Sequence, residues 1–589
     1  MEHAVERALE NNVTTARDVH RARTVAQSMI EQLVGSGIDT FFGIPGGPII
    51  SVFHRILLHR DARLIEPRHE NGAAFEAMGF HRATGRVPAL VVTAGPGITN
   101  AVTGVAAAHA ERVPMVVLCG DVASDKRCLL QDLDADRRGG IEQIFAGITR
   151  AVRRITRPAS ATSELRAAIA SATDPRRPGP VVVVVPVDLA DAMAKSPVLR
   201  SIDRGRQAEV MPDASLIQDV LGRLASARLP VVLLGSGCRG HEGEVSSLVN
   251  TLGIPFMTTP QAKGIVSELH PASLRTSGMS ASFWARRYSA RGPDVALVLG
   301  SDLDDVSTAG TSVVGPGGSV VHVDIDPTVF ARNFPTALGI EHPLGSFCRA
   351  LAAAAPAHPA YPLDTARLLA DTKERSPFDV PRFASDDAPR IAPHRALADL
   401  ERAAAPTDRF VSDIGEHMLF ALHYLTAEHG ERFTIHLGLG SMGSGIGSAI
   451  GLALGDPSRR VICICGDGGM QMSSAEILVA HAHRLPVVYA IFNDARYNMV
   501  FHGYRLTHGR EAPWSTEYVD FVKWASAFGV PGRIIERPGQ ITSALLDELT
   551  ESGPAILDIR QDRDVRIRGD GRIDALRQMS FANAEGGRA

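Results

Sequence analysis

Short apolar runs recur along the chain, each ending in Gly, Ser, Pro or Asp and each followed by a longer stretch with helical spacing. "TFFGIPGG", "ALVVTAGPG", "MVVLCGD" and "PVVVVVPVDL" mark a first block, residues 18–190. "PVVLLGSG", "VALVLGSD" and "VVHVDIDP" mark a second, residues 205–352. A segment rich in Ala, Pro and charge, 353–390, reads as a linker, and a third block covers 391–575. Apolar strands alternating with helices predict an α/β protein of three doubly wound domains with parallel sheets. The first and third blocks repeat one scheme: strand, Gly-rich turn, helix, strand, polar residue at the strand end. Two related domains could hold one ligand between them. The closing "FANAEGGRA" reads as a frayed tail.

Length agrees with several domains, because 589 residues exceed what one core organises. Net charge is −4 with no basic run, which removes electrostatic support for a nucleic-acid or membrane-surface partner. No apolar stretch approaches the roughly 20 residues needed to span a bilayer. The charged start "MEHAVERALENN" lacks a signal-peptide apolar region. Six scattered cysteines form neither a disulfide framework nor a zinc site and read as reduced core thiols of a cytoplasmic protein.

The candidate chemistry lies in the third block. "VICIC" precedes Asp467 and "VVYAIF" precedes Asn493 and Asp494, with a helix-like stretch between them. Right-handed crossover would put both acids at one carboxyl edge of a parallel sheet, where ligands of open α/β sheets bind. Gly466, Gly468 and Gly469 let backbone N–H groups turn toward an anion. Two carboxylates beside anion-binding amides suit a Mg²⁺–diphosphate group. The plain alternative is that both acids are solvated turn residues. A third reading comes from "GLGSMG", residues 438–443, which fits a dinucleotide fingerprint with Asp467 as the ribose-binding acid. It leaves "GDGG" and the second acid without a role.

"GDGGMQMSSAEILVAHAHRLPVVYAIFND" resembles the thiamine diphosphate motif of the superfamily that contains acetolactate synthase and pyruvate decarboxylase. "FFGIPGG", "RHENGAAFEAMGFHRATG", "VVTAGPGITNAVTGVAAAHAERVPMVVLCGD" and "GLGSMGSGIGSAIGLALG" resemble it in the same order, and the acetolactate synthase large subunit is the nearest likeness. The resemblance implies a pyrimidine-binding first domain and a diphosphate-binding third domain. It implies that Glu70 contacts the aminopyrimidine ring and promotes loss of the thiazolium C2 proton. Ile44, Gly47, Pro96 and Asn100 fall among its cofactor-binding positions, as do Glu416, His417, Gly440, Met442, Gly466, Gly468 and Gly469. The implied Mg²⁺ ligands are Asp467, Asp494 and the backbone oxygen of Arg496. FAD is a candidate ligand of the central block. A homodimer or homotetramer is implied, since the family builds its site from two subunits; a regulatory small subunit is left open.

Five departures qualify the resemblance. Asp494 stands where the family has Asn, and Glu416 where it has Gln. The Phe-Gln-Glu segment expected before an "ITRPV"-like strand is replaced by "GGIEQIFAGITRAVRRI". After "NMV" the synthases place a Trp; here the chain reads "FHGYR", so His502, Tyr504 and His508 become candidates for the acceptor side. In the central block Val306 replaces the usual Arg. The expected function is decarboxylation of a 2-oxo acid such as pyruvate, with ligation of the acyl unit to a second carbonyl compound. Simple decarboxylation, acyl transfer to a specialised acceptor, and an inactive cofactor-binding homologue are the alternatives.

Overall fold

The computed structural model describes residues 23–567 except 127–128, 135, 137, 195–209, 356–362 and 384–389. The tail read as frayed lies outside the described residues. Three six-stranded sheets, all parallel, carry the molecule.

The first sheet contains β1 (Thr40–Gly43), β2 (Arg63–Ile65), β3 (Ala89–Val92), β4 (Met115–Asp121), β5 (Ala151–Arg154) and β6 (Pro180–Pro186) in the order β2-β1-β3-β4-β6-β5. Helix α1 (Glu70–Thr84) precedes β3, and α2 (Pro96–Ala110) follows it. The unbroken "PVVVVVP" of β6 is apolar on both faces because helices cover both; every residue in it is buried.

The central sheet holds β7 (Pro230–Leu234), β8 (Phe256–Thr258), β9 (Ser273–Thr276), β10 (Val295–Leu299), β11 (Ser319–Asp324) and β12 (Leu338–Glu341), ordered β9-β8-β7-β10-β11-β12. Chain order reverses between β7 and β10, which is a topological switch point. Within the segment read as a linker runs a helix, Leu363–Lys373, whose Asp371 pairs with Arg287 of the central domain at 2.9 Å. Its "LDTARLLADTK" carries an apolar stripe among the Ala and charge.

The third sheet has β13 (Arg409–Ser412), β14 (Phe433–Ile435), β15 (Val461–Gly466), β16 (Val487–Asn493), β17 (Gly532–Ile535) and β18 (Ala555–Arg560), ordered β14-β13-β15-β16-β18-β17. Numbered from its own first strand, this order is the same as that of the first sheet. The repeated scheme in the sequence is therefore a repeated topology. Helices α3 (Glu416–Tyr424), α4 (Ser444–Gly455), α5 (Asp467–Ser473) and α6 (Asn498–His508) follow strand ends at one edge or line the interdomain face.

Glycines let α1 and α4 cross at close range. A Cβ on Gly79 would run into the Ser448 carbonyl, and one on Gly451 into the Glu76 carbonyl. That crossing joins the first and third domains. The central domain is tied to the third by buried charge: Lys263 Nζ donates to both Glu268 oxygens at 2.7 and 2.8 Å and to the Leu422 carbonyl at 3.0 Å.

Candidate active site

Strands β15 and β16 are hydrogen-bonded neighbours, with Gly466 opposite Phe492. Asp467 and Asp494 consequently leave one carboxyl edge side by side. Asp467 accepts the N–H of Ala495 at 2.9 Å, reaching across to the loop after β16, and that of Gly468 at 2.8 Å. Asp494 accepts the Arg496 N–H at 3.0 Å and Gln561 Nε2 at 2.9 Å. Both are buried. Burial pushes Asp467 up to about 6. Burial, with the charges of Asp467 and Glu416, pushes Asp494 up to about 8. Ionising all three carboxylates together is costly without a cation. Among the described residues no three His, Cys, Asp or Glu side chains converge as a complete metal site. Two adjacent buried carboxylates are oxygen donors of the kind that Mg²⁺ takes together with phosphate oxygens.

The glycine-rich turn after β14 is held beside this edge by Asp413, which accepts the N–H groups of Gly443 and Gly445, each at 3.0 Å. Gly443 has φ +88° and Gly440 φ +68°, a backbone region that L side chains rarely adopt. A Cβ on Gly468 would lie 3.2 Å from the Met442 methyl and 2.9 Å from the Tyr497 ring, so Met442 approaches the turn of the first acid. His417 Nε2 donates to the Asp413 carbonyl at 3.0 Å, and burial pushes the ring down to about 4, so it stays neutral. Its ring packs where Gly466 leaves room. The Arg496 side chain turns away from the edge: Nε donates to Asn498 at 2.7 Å and the guanidinium lies over the Phe501 ring.

Glu70 begins α1 at the carboxyl edge of the first sheet and is buried. Asn100 Nδ2 donates to it at 3.0 Å, and a Cβ on Gly97 would come within 3.3 Å of its other oxygen. Ile44, Gly47 and Pro96 stand on neighbouring turns of the same edge, with Ile44 half-buried and the other two exposed. Glu70 and its partner thus belong to one sheet edge, and the acids 467 and 494 to another.

Glu416 begins α3 and does not stand alone. It accepts from His502 Nδ1 at 2.7 Å and from Asn498 Nδ2. Tyr504 and His508 lie on the outer part of α6, their rings tilted against each other at 4.5 Å, with Trp514 against Tyr504 at 5.2 Å. Asp413, Asn498 and Gln561 were not singled out from the sequence. Asp413 carries the signature that marked the two edge acids, since it directly follows the strand "RFVS".

A cavity of about 460 Å³ opens at the central domain's switch point, lined by Ser236, Gly237, Ser301, Asp302 and Asp324 with Arg112 from the first domain. Arg112 pairs with Asp302 at 3.1 Å. Val306, where the resemblance expects Arg, is buried.

Three family models match the chain: thiamine pyrophosphate enzyme, N-terminal TPP binding domain, over residues 23–145; central domain, over 217–351; and C-terminal TPP binding domain, over 413–559. A probable acetolactate synthase large subunit of Methanocaldococcus jannaschii is 31% identical, covering 91% of both chains. A putative acetolactate synthase large subunit of Mycobacterium tuberculosis is 31% identical over 92% of this chain and 98% of its own. Isozyme 3 large subunit of Escherichia coli acetolactate synthase is 28% identical over 93% and 97%. The dinucleotide reading of "GLGSMG" gives way, since that stretch lies within the C-terminal TPP binding domain. The chain belongs to the thiamine pyrophosphate enzyme family, as an acetolactate synthase-like enzyme.

Proposed function

We propose that this enzyme decarboxylates a 2-oxo acid, pyruvate first among candidates, and joins the acyl unit to a second carbonyl compound. The observation that carries the proposal is the pair of strand-end carboxylates, Asp467 and Asp494, buried side by side at the edge where the glycine turns 440–443 and 466–469 meet. Asp467, Asp494 and the Arg496 carbonyl would hold Mg²⁺, and the glycine turns would take the diphosphate. When bound, thiamine diphosphate supplies a carbon nucleophile and an electron sink for decarboxylation. Glu70, buried and held by Asn100, would keep a carboxyl group on the aminopyrimidine. Met442 would wedge the cofactor from the turn it already packs against.

With "FHGYR" where the resemblance expects a Trp, the acceptor side differs from that of the synthases, which favours an acceptor other than a second pyruvate. Leu439, Met472, Tyr497 and Val500 expose apolar surface around the site edge. Such a rim suits coverage by a second copy, in keeping with the homodimer or homotetramer implied by the resemblance. The cavity at the switch point is proposed to take a nucleotide, with FAD the candidate. No helix among the described residues is long and apolar enough to cross a membrane. The five described cysteines are buried free thiols, which suits work in the cytoplasm.

Incubation of the protein with thiamine diphosphate, Mg²⁺ and a panel of 2-oxo acids, alone and with carbonyl acceptors, tests the proposal by product mass. Release of CO₂ with a ligated product is expected; absence of both for every pairing refutes it. A flavin absorption band in the purified protein decides the central cavity.

A further inference from the structure

Two residues from stretches where the resemblance expects other residues meet in the folded protein. Glu416 and His502 are 86 residues apart, yet Glu416 Oε1 and His502 Nδ1 lie 2.7 Å from each other. Both are buried. They meet because α3 follows β13 and α6 follows β16, and these two strands flank β15. Asn498 and His502 stand four residues apart on α6, hence on one face, and both point at the same carboxylate. Arg496 Nε in turn holds the Asn498 oxygen, so Asn498 must present its amide hydrogens to Glu416. Each member of the chain is fixed by the next.

A hydrogen bond from one imidazole nitrogen decides the role of the other. An ionised Glu416 can only accept, so beside it Nδ1 bears the proton. Nε2 then has no hydrogen-bond partner among the described residues. His502 keeps a small exposed surface, so the ring is not wholly sealed in the interior. An imidazole anchored by a carboxylate, with its second nitrogen uncommitted beside the diphosphate edge, is equipped to exchange a proton with a substrate oxygen. Tyr504 and His508 are not equivalent candidates, because their rings pack against each other and Tyr504 also packs against Trp514.

We propose that His502 is the acid–base residue for the carbonyl acceptor and that Glu416 is its positioning residue, a proposal that rests on the ligation reaction described above. As a carbon nucleophile adds to the acceptor carbonyl, the π electron pair moves to oxygen. The Nε2–H bond of the imidazolium breaks, its pair stays on Nε2, and the proton forms the O–H bond of the product alcohol. Glu416 offsets the ring's positive charge before transfer, and solvent returns the proton afterwards.

The test uses the full-length enzyme loaded with thiamine diphosphate and Mg²⁺, with the acid and acceptor that the wild type turns over. His502→Gln is expected to keep its melting temperature and its calorimetric affinity for thiamine diphosphate within about twofold, while ligation falls roughly 100-fold with little change in KM. Glu416→Gln is expected to lose about tenfold, and nitrogen NMR of its His502 should show loss of the fixed Nδ1–H form. His508→Gln should match the wild type. Ligation by His502→Gln within about threefold of the wild type overturns the proposal, as does a loss confined to cofactor affinity. Should His502→Gln not fold, wild-type nitrogen spectra decide instead: an Nδ1 without its proton overturns the proposal, and a fixed Nδ1–H together with the Glu416→Gln loss upholds it. A wild type that releases no CO₂ from any acid refutes the functional reading itself, and the proposal with it.

Discussion

Two clusters of buried charge sit in this molecule, and they are balanced in opposite ways. At the tie between central and third domains, Lys263 and Arg275 face Glu268, and every one of the three is nearly or wholly removed from solvent. Burial alone would raise Glu268, yet Arg275 and Lys263 hold it below the usual carboxylate range. Burial lowers Lys263 to about 8 against the pull of Glu268. Arg275 also donates to the Leu425 carbonyl at 2.6 Å. Opposite charges and backbone carbonyls complete each other there. At the third sheet's edge Asp467, Asp494 and Glu416 gather three carboxylates, with His502 the only basic side chain among the described residues that pairs with any of them. A cluster that satisfies itself is part of the architecture, whereas a cluster left with surplus negative charge is arranged for something that brings positive charge.

The sharpest way to break this comparison is to unbalance the first cluster. Lys263→Met leaves Glu268 and Arg275 without their full set of partners and is expected to cost about 3–5 kcal/mol of stability. Chemical denaturation would read it. A loss under about 1 kcal/mol would show that this tie is not the structural element described here.

Asp467→Asn should act on the second cluster in the reverse sense, with little effect on the fold and a large one on ligand binding. Thiamine diphosphate affinity in the presence of Mg²⁺ is expected to fall roughly 10- to 100-fold, measured by calorimetry. Unchanged affinity would remove Asp467 from the metal shell.

The pH response without metal is the third test. Asp467 and Asp494 have folded-state values pushed up to about 6 and about 8. The unfolded chain has the ordinary carboxylate value of about 4, so the folded protein binds these protons more tightly. The stability they contribute is fully present below about pH 4 and is lost as pH climbs through the folded values of about 6 and 8. The metal-free protein should therefore melt at a lower temperature at pH 8 than at pH 6. Mg²⁺ with thiamine diphosphate should flatten that difference, and Asp494→Asn should reduce it. Thermal melts in which the variant keeps the whole wild-type difference would contradict the assignment.

The smallest effect belongs to the extra charge itself. Asp494→Asn is expected to weaken Mg²⁺ slightly and to bind thiamine diphosphate somewhat more tightly at fixed Mg²⁺, because a negative charge next to the diphosphate is gone. Clearly weaker cofactor binding in titration would contradict this.

Much of the fold was legible because its signals are local. Short β-branched runs such as "VICIC" and "VVYAIF" read as buried strands, and an acid two residues after each is a placement that sequence displays. The segment 353–390 was harder, since Ala and Pro obscured the helix at Leu363–Lys373. Asp413 carried the same strand-end mark as Asp467 but lacked a glycine turn beside it. Its part in holding Gly443 and Gly445 depends on β13 and β14 being neighbours.

By itself the sequence determined the strands, the edge acids and the kinship of the first and third domains, because hydrophobic period, turn glycines and strand-end polarity are properties of contiguous residues. Only the tertiary structure decided what Glu416 does. Read in the chain, it is an unexplained negative charge beside another. In the folded protein it is the partner of His502, a residue 86 positions away. That pairing follows from the order of strands in a sheet, and strand order is fixed by packing over the whole domain, not by any stretch of residues that can be read in line.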